Sequence, residues 1–115
     1  MKKLLLIDDN EQFSKLLAGL LKEDFQVYFA NSINSARKVM EDIAADAICS
    51  DYHMPDGTGI DLLQKLRADG CQLPFLLMSG SEDARIIRLA KLNGASFCCK
   101  TSYDLVSEIK KLSEG

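Results

Sequence analysis

Asp46 to Gly59 reads DAICSDYHMPDGTG, and this stretch contains a whole folding unit in miniature. DAICSD is a short apolar run ending on an acid at Asp51, and an apolar run of this length bounded by turn residues reads as a buried strand. MPDGTG, from Met54 to Gly59, is dense in turn formers. Thr58 can then cap a helix that turns Leu62, Leu63 and Leu66 inward. Strand, turn and helix in that order make a βα unit, and the unit recurs on both sides.

Upstream, KLLLID from Lys3 to Asp8 is a second apolar run that ends in acids. Phe13, Leu16, Leu17, Leu20 and Leu21 then recur at helical spacing, predicting an amphipathic helix from about Asn10 to Lys22. FQVYFA, Phe25 to Ala30, has the aromatic and β-branched content of a strand. Asn31 or Ser32 can cap the helix that follows, with Ile33, Ala36, Met40 and Ile43 on one face. Downstream, Leu73 to Ser79 is a strand with Pro74 near its start, where a missing N–H is tolerated. Glu82 to Leu92 is helical, with Glu82 and Asp83 at the positive end of the dipole and Asn93-Gly94 as its stop. Ala95 to Cys99 is the last strand, and Ser102 can cap a final helix bearing Leu105, Val106, Ile109 and Leu112. The order is βα repeated five times. Right-handed crossovers between parallel strands then predict a three-layer αβα sandwich, with the flavodoxin-like strand order 2-1-3-4-5 favoured for a five-stranded chain.

Composition narrows the function classes. The chain has 115 residues, suiting one domain, and 47% of them are apolar, enough for one core. Net charge is -3 with Lys and Arg scattered, which argues against an intrinsic nucleic-acid surface, since phosphate backbones need massed positive charge. Met1-Lys2-Lys3 precedes only a brief apolar run, so neither a secretory signal nor membrane insertion is expected. The four cysteines, Cys49, Cys71, Cys98 and Cys99, lack a CxxC pair and read as reduced thiols of a cytoplasmic protein. Cys98 and Cys99 are neighbours on a strand and must face opposite ways.

The chemistry gathers at the carboxyl ends of the strands, where open parallel sheets bind ligands. Asp8 and Asp9 follow the first strand, Asp51 ends the third, Ser79 ends the fourth and Lys100 follows the fifth. Three crowded carboxylates need protons or a cation at neutral pH, and an all-oxygen set suits magnesium. One carboxylate could attack phosphorus while the cation and Lys100 neutralise the phosphoryl oxygens. Helix-capping acids alone would be a common explanation for Asp8 or Asp9, but five such residues at matching strand ends are not explained that way.

Asp8-Asp9, Asp51 within DYHMPDGTG, Ser79 and Lys100, in this order and spacing, resemble the response-regulator receiver family of two-component signalling over nearly the whole chain. The similarity extends to single-domain, chemotaxis-type regulators. It implies one receiver domain over residues 1–115, in which Asp51 is phosphorylated by a histidine kinase or a phosphotransfer protein. It also implies Mg2+ held by Asp8, Asp9, Asp51 and the backbone carbonyl of His53. Ser79 and Lys100 would hold phosphoryl oxygens, and Ser79 and Phe97 would form the switch. Such a domain is a phosphoacceptor rather than an enzyme acting on other molecules, catalysing only its own phosphoryl transfer and dephosphorylation. Its output would go to a downstream protein target or a fused effector domain.

Some positions depart from the family pattern. Thr101 stands where the family has proline, often after a cis bond. A non-proline cis bond costs about 2.5–4 kcal/mol, so Lys100–Thr101 is either trans or held cis under strain. Gly80 next to Ser79 leaves the pocket accessible. On the same resemblance the His53 side chain would border the pocket, and His53 and Ser81 would tune the phosphoryl lifetime rather than carry the reaction. A pseudo-receiver that binds partners without phosphorylation is the main alternative. An aspartyl-phosphate phosphatase would need an acid where His53 stands, and a flavin module would need hydroxyls where Asp8 and Asp9 stand.

Overall fold

Helix and strand boundaries follow the apolar pattern closely in the computed structural model, which describes residues 1–114. Strand β1 (Lys2–Ile7) leads through Asn10, whose side chain accepts the Phe13 amide, into helix α1 (Glu11–Leu21). Strand β2 (Phe25–Ala30) is followed by α2 (Ile33–Asp42), which opens in a capping box formed by Ser32 and Ser35. After β3 (Ala47–Asp51) comes a small antiparallel ribbon, β4 (His53–Met54) and β5 (Gly57–Thr58). Helix α3 (Gly59–Ala68) starts with a second capping box, Thr58 with Asp61. Strand β6 (Phe75–Ser79), helix α4 (Ala84–Leu92), strand β7 (Ser96–Cys99) and helix α5 (Leu105–Lys110) complete the order, with a 3-10 turn over Lys111–Glu114.

The five long strands are parallel in the order β2-β1-β3-β6-β7. With the ribbon set aside, this is the expected 2-1-3-4-5. Alternation along the strands sends side chains to two cores. Leu4, Leu6, Cys49, Leu76, Met78 and Cys98 pack with Leu17 of α1 and Ile109 of α5. Leu5, Ile7, Ile48, Phe75 and Leu77 pack on the other face with Ala36, Leu63 and Ala90 of α2, α3 and α4. Each fully buried leucine or isoleucine contributes roughly 1.5–3 kcal/mol, so β1 alone, with four such residues, anchors both layers.

Local chemistry shifts three expected boundaries. The MPDGTG segment pairs with itself, His53 with Thr58 and Met54 with Gly57, so it is a ribbon as well as a turn. Asp83 caps α4 by accepting the Arg85 amide, which places Glu82 before the helix rather than in its first turn. Ser102 accepts from the Asp104 amide at 3.1 Å, and α5 begins only at Leu105. Gly94 ends α4 in the left-handed region at φ +70, as Asn93-Gly94 implied.

Ser14, on the inner face of α1, is 5% exposed, and its hydroxyl has no hydrogen-bond partner among the described residues. An unsatisfied buried hydroxyl costs on the order of 1–3 kcal/mol, and alanine is the better helix former. Ser14→Ala is expected to stabilise the domain by about 1 kcal/mol, read as a higher urea midpoint. An unchanged or lower midpoint would show that the hydroxyl is satisfied in solution.

Candidate functional site

Continuing the strand alternation past the last paired residue brings Asp8, Asp51 and Lys100 to the same side of the sheet, that of α1 and α5. The three lie at adjacent or nearby strand ends, and Lys100 closes the gap. Its Nζ sits 2.8 Å from Asp8 Oδ2 and 3.2 Å from Asp51 Oδ2. Asp8 is 3% exposed and Asp51 7%, so the ammonium lies against two carboxylates largely removed from solvent. Asp9 is exposed, and carboxylate oxygens of Asp8, Asp9 and Asp51 all lie within 4.8 Å of one another.

The ionisation of the cluster follows from these contacts. Burial, reinforced by the Asp8 charge, pushes the Asp51 carboxyl above its ordinary range, and Lys100 offsets this only in part. Burial works against the Lys100 charge, but Asp8 and Asp51 outweigh it and hold the ammonium above the usual lysine range. Phe13 supplies a wall beneath it, with Lys100 Nζ 4.4 Å from the ring centroid. Asp8 Oδ1 accepts the Asn10 amide at 2.9 Å. Asp8 Oδ2 is buried and faces the Lys100 ammonium at 2.8 Å. Three carboxylates that converge in this way offer the all-oxygen donor set that suits a small, hard divalent cation. A cleft of about 490 Å³ opens beside Asp8 and Asp9 toward Glu11, Phe29 and Asn31, and Asp9 is open to solvent.

Ser79 and Phe97 fall on the opposite side of the sheet. By alternation Ser79 follows Phe75 and Leu77, and half-buried Phe97 packs against their core. Ser79 is 1% exposed, its carbonyl accepts the Lys100 amide at 2.8 Å, and its Oγ accepts the Ser81 amide at 3.4 Å. Its backbone is thereby tied to that of Lys100. His53 lies in β4 with its imidazole exposed, edge-on to Tyr52 with ring centroids 4.8 Å apart. Every peptide bond among the described residues is trans, Lys100–Thr101 included, and Thr101 Oγ1 lies 3.3 Å from Cys99 Sγ. Cys98 is buried and Cys99 half-buried, on alternate faces as neighbours on a strand require, and all four thiols are free.

Two contributors were not apparent from sequence. Phe13 reads as a plain core residue, yet it underlies Lys100; its place in the first turn of the helix that follows the acidic pair was the available signal. Gly59 reads as part of a turn, yet a Cβ there would lie 2.5 Å from the Asp51 carbonyl oxygen and 2.6 Å from Leu77 Cδ1. The first residue of α3 is pressed against the strand end that carries Asp51.

An open, doubly wound sheet with an acidic pocket and a lysine at its carboxyl rim defines a class of phosphate- and cation-handling αβα domains. The chain belongs to the response regulator receiver domain family, whose model matches residues 4–110. Among curated relatives, the transcriptional regulatory protein CpxR of Escherichia coli K12 is 36% identical over 92 residues, covering 77% of this chain and 39% of CpxR. The cell cycle transcriptional regulator CtrA of Caulobacter vibrioides is 30% identical over 82 residues, covering 70% of this chain and 36% of CtrA. The chain thus spans under two-fifths of the length of these regulators. The non-phosphorylated receiver domain of HemR from Leptospira biflexa superposes with a TM-score of 0.91 at 24% identity, covering 100% of this chain and 96% of that one. The BeF3-activated receiver domain of Klebsiella pneumoniae RstA gives 0.88 at 22%, covering 99% and 100%. These structures establish the fold, and phosphorylation-based signalling is the general function of the family.

Two measurements probe the site without ligand. Gly59→Ala is expected to destabilise the domain by roughly 1–3 kcal/mol, because the added methyl overpacks a backbone that cannot yield; an unchanged urea midpoint would refute the close approach. Asp51, with a raised folded-state pKa, costs stability as pH rises from the ordinary carboxylate range through its folded value. In EDTA, Asp51→Asn is therefore expected to melt higher than wild type at pH 7, the difference vanishing in acid. A lower melting temperature at pH 7 would contradict this.

Proposed function

We propose that the chain is a phosphorylation switch in which Asp51 is the phosphoacceptor. The observation that carries this reading is the placement of the Lys100 ammonium between Asp8 and Asp51, with Asp9 at the rim. In this reading Asp8, Asp9, Asp51 and the His53 carbonyl would hold Mg2+, which would offset carboxylate repulsion and supply positive charge for the phosphoryl oxygens. An Asp51 oxygen attacks the phosphorus of a phosphohistidine on a kinase or phosphotransfer protein. The P–N bond breaks, the imidazole leaves with a proton from solvent, and an acyl phosphate remains on Asp51. Lys100 then exchanges its contact with the Asp51 carboxylate for one with a phosphoryl oxygen, and Ser79 donates its O–H to another. Return to the ground state is attack by water on phosphorus with release of the Asp51 carboxylate.

Phe97 follows Ser79 in this scheme, since both lie on the α2–α4 side of the sheet. The domain, residues 1–115, then presents an altered surface to a downstream protein target or to a fused effector. The relatives' names, which describe transcriptional regulators, favour the fused arrangement.

Intact mass after incubation with acetyl phosphate is the direct test. One Mg2+-dependent phosphoryl adduct is expected on wild type and none on Asp51→Asn. Lys100→Ala is expected to lower the rate of adduct formation roughly 100-fold or more. A folded wild-type protein that takes no adduct with Mg2+ would replace the switch with a partner-binding pseudo-receiver.

A further inference from the structure

The ribbon that follows Asp51 is gripped at its tip by a helix outside the acidic pocket. Asp56, at the ribbon turn, accepts the Ile33 amide through Oδ1 and the Asn34 amide through Oδ2, each at 2.9 Å. Both amides belong to the first turn of α2, where no helical carbonyl is available to them and where the helix dipole favours a carboxylate. The Asn34 and Ile33 amides hold the Asp56 carboxyl below its usual range.

A second contact makes the same junction. Gly57 has φ +152, and a Cβ there would sit 2.9 Å from Ile33 Cδ1. Ile33 thus closes over the turn while Asp56 is bonded from the helix. The helix already has a cap of its own, Ser32 Oγ accepting the Ser35 amide at 3.0 Å and Ser35 Oγ accepting the Ser32 amide at 3.1 Å. Asp56 is therefore an additional tie, reaching 23 residues along the chain to Ile33 and 22 to Asn34.

At its base the ribbon is fixed by the sheet. Tyr52 N donates to Met78 O at 2.7 Å and Gly59 N to Tyr52 O at 2.8 Å. Pairing of His53 with Thr58 and Met54 with Gly57 carries the position of the tip back to His53. The backbone of His53 is held from two ends, by β6 and by α2.

We propose that Asp56 is a positioning residue, clamping the ribbon turn to the N-terminus of α2 and so setting the His53 carbonyl against the carboxylates of Asp8, Asp9 and Asp51. This rests on the proposed reading of that pocket as a Mg2+ site. A residue that orients a metal-binding group without touching the metal is expected to change affinity, whereas a simple helix cap changes stability alone. Ser32→Ala supplies the comparison, because it removes a cap from the same helix end and leaves the ribbon bonds in place.

The experiment is titration calorimetry with Mg2+ on the whole chain as wild type, Asp56→Ala, Asp56→Asn and Ser32→Ala, with thermal melts of each. Asp56→Ala is expected to weaken Mg2+ binding about 10-fold. Asp56→Asn, which keeps one acceptor oxygen, should fall between, and it carries the comparison if the alanine variant does not fold. Ser32→Ala is expected to melt lower and bind Mg2+ like wild type. Wild-type affinity in both Asp56 variants, or equal weakening by Ser32→Ala, would overturn the positioning role alone. Absence of Mg2+ binding by wild type itself would overturn the reading of the pocket and this inference with it.

Discussion

The Lys100 ammonium is the counter-charge on which the arrangement of the sheet rim depends. Two buried carboxylates, Asp8 and Asp51, stand at the ends of neighbouring strands, and burial disfavours the anionic form of Asp51. A single cation shared between them, 2.8 Å from one and 3.2 Å from the other, offsets the repulsion between the carboxyl ends of β1 and β3. The lysine comes from the far side, two strands beyond β3, and it reaches back over Phe13 of α1. Strand order, the register of β7 on β6 and the start of α1 must therefore all be correct before the three charges meet.

Close backbone approach is the second constraint. At Gly59 the end of β3 and the start of α3 leave no space for a side chain, and at Gly57 the ribbon turn passes directly under Ile33. Both glycines flank Thr58, whose capping box with Asp61 launches α3. The loop after Asp51 can be short because its residues divide the work of pairing, turning, bonding to α2, capping and making room.

The fold was legible because the apolar runs had the right lengths and ended on chemically distinctive residues. Strand alternation, applied to KLLLID, AICSD and SFCCK, is enough to place Asp8, Asp51 and Lys100 on one face and Phe97 on the other. Local capping residues such as Asn10, Ser32 and Thr58 also did what their type implies. What stayed hidden depends on contacts between segments far apart in the chain. The Asp56 bonds to α2, the Phe13 ring under Lys100 and the press of Gly59 on Asp51 leave no periodic trace. The two-residue strands of the ribbon are too short to show alternation, and α4 began later than its acids implied because Asp83 bonds the chain ahead of it.

The separation of residues onto two faces has a consequence for how information could travel. The acids and the lysine lie on the α1–α5 face, whereas Ser79 and Phe97 lie on the face covered by α2, α3 and α4. The sheet between them is a close-packed wall of Leu, Ile, Met and Phe, which conducts no charge and has little room to deform. On the proposed reading, a signal written on one face is read on the other without crossing the interior. The route is the rim itself, where the Ser79 carbonyl meets the Lys100 amide. The protein is in this respect a double-sided panel whose connection runs along its upper edge.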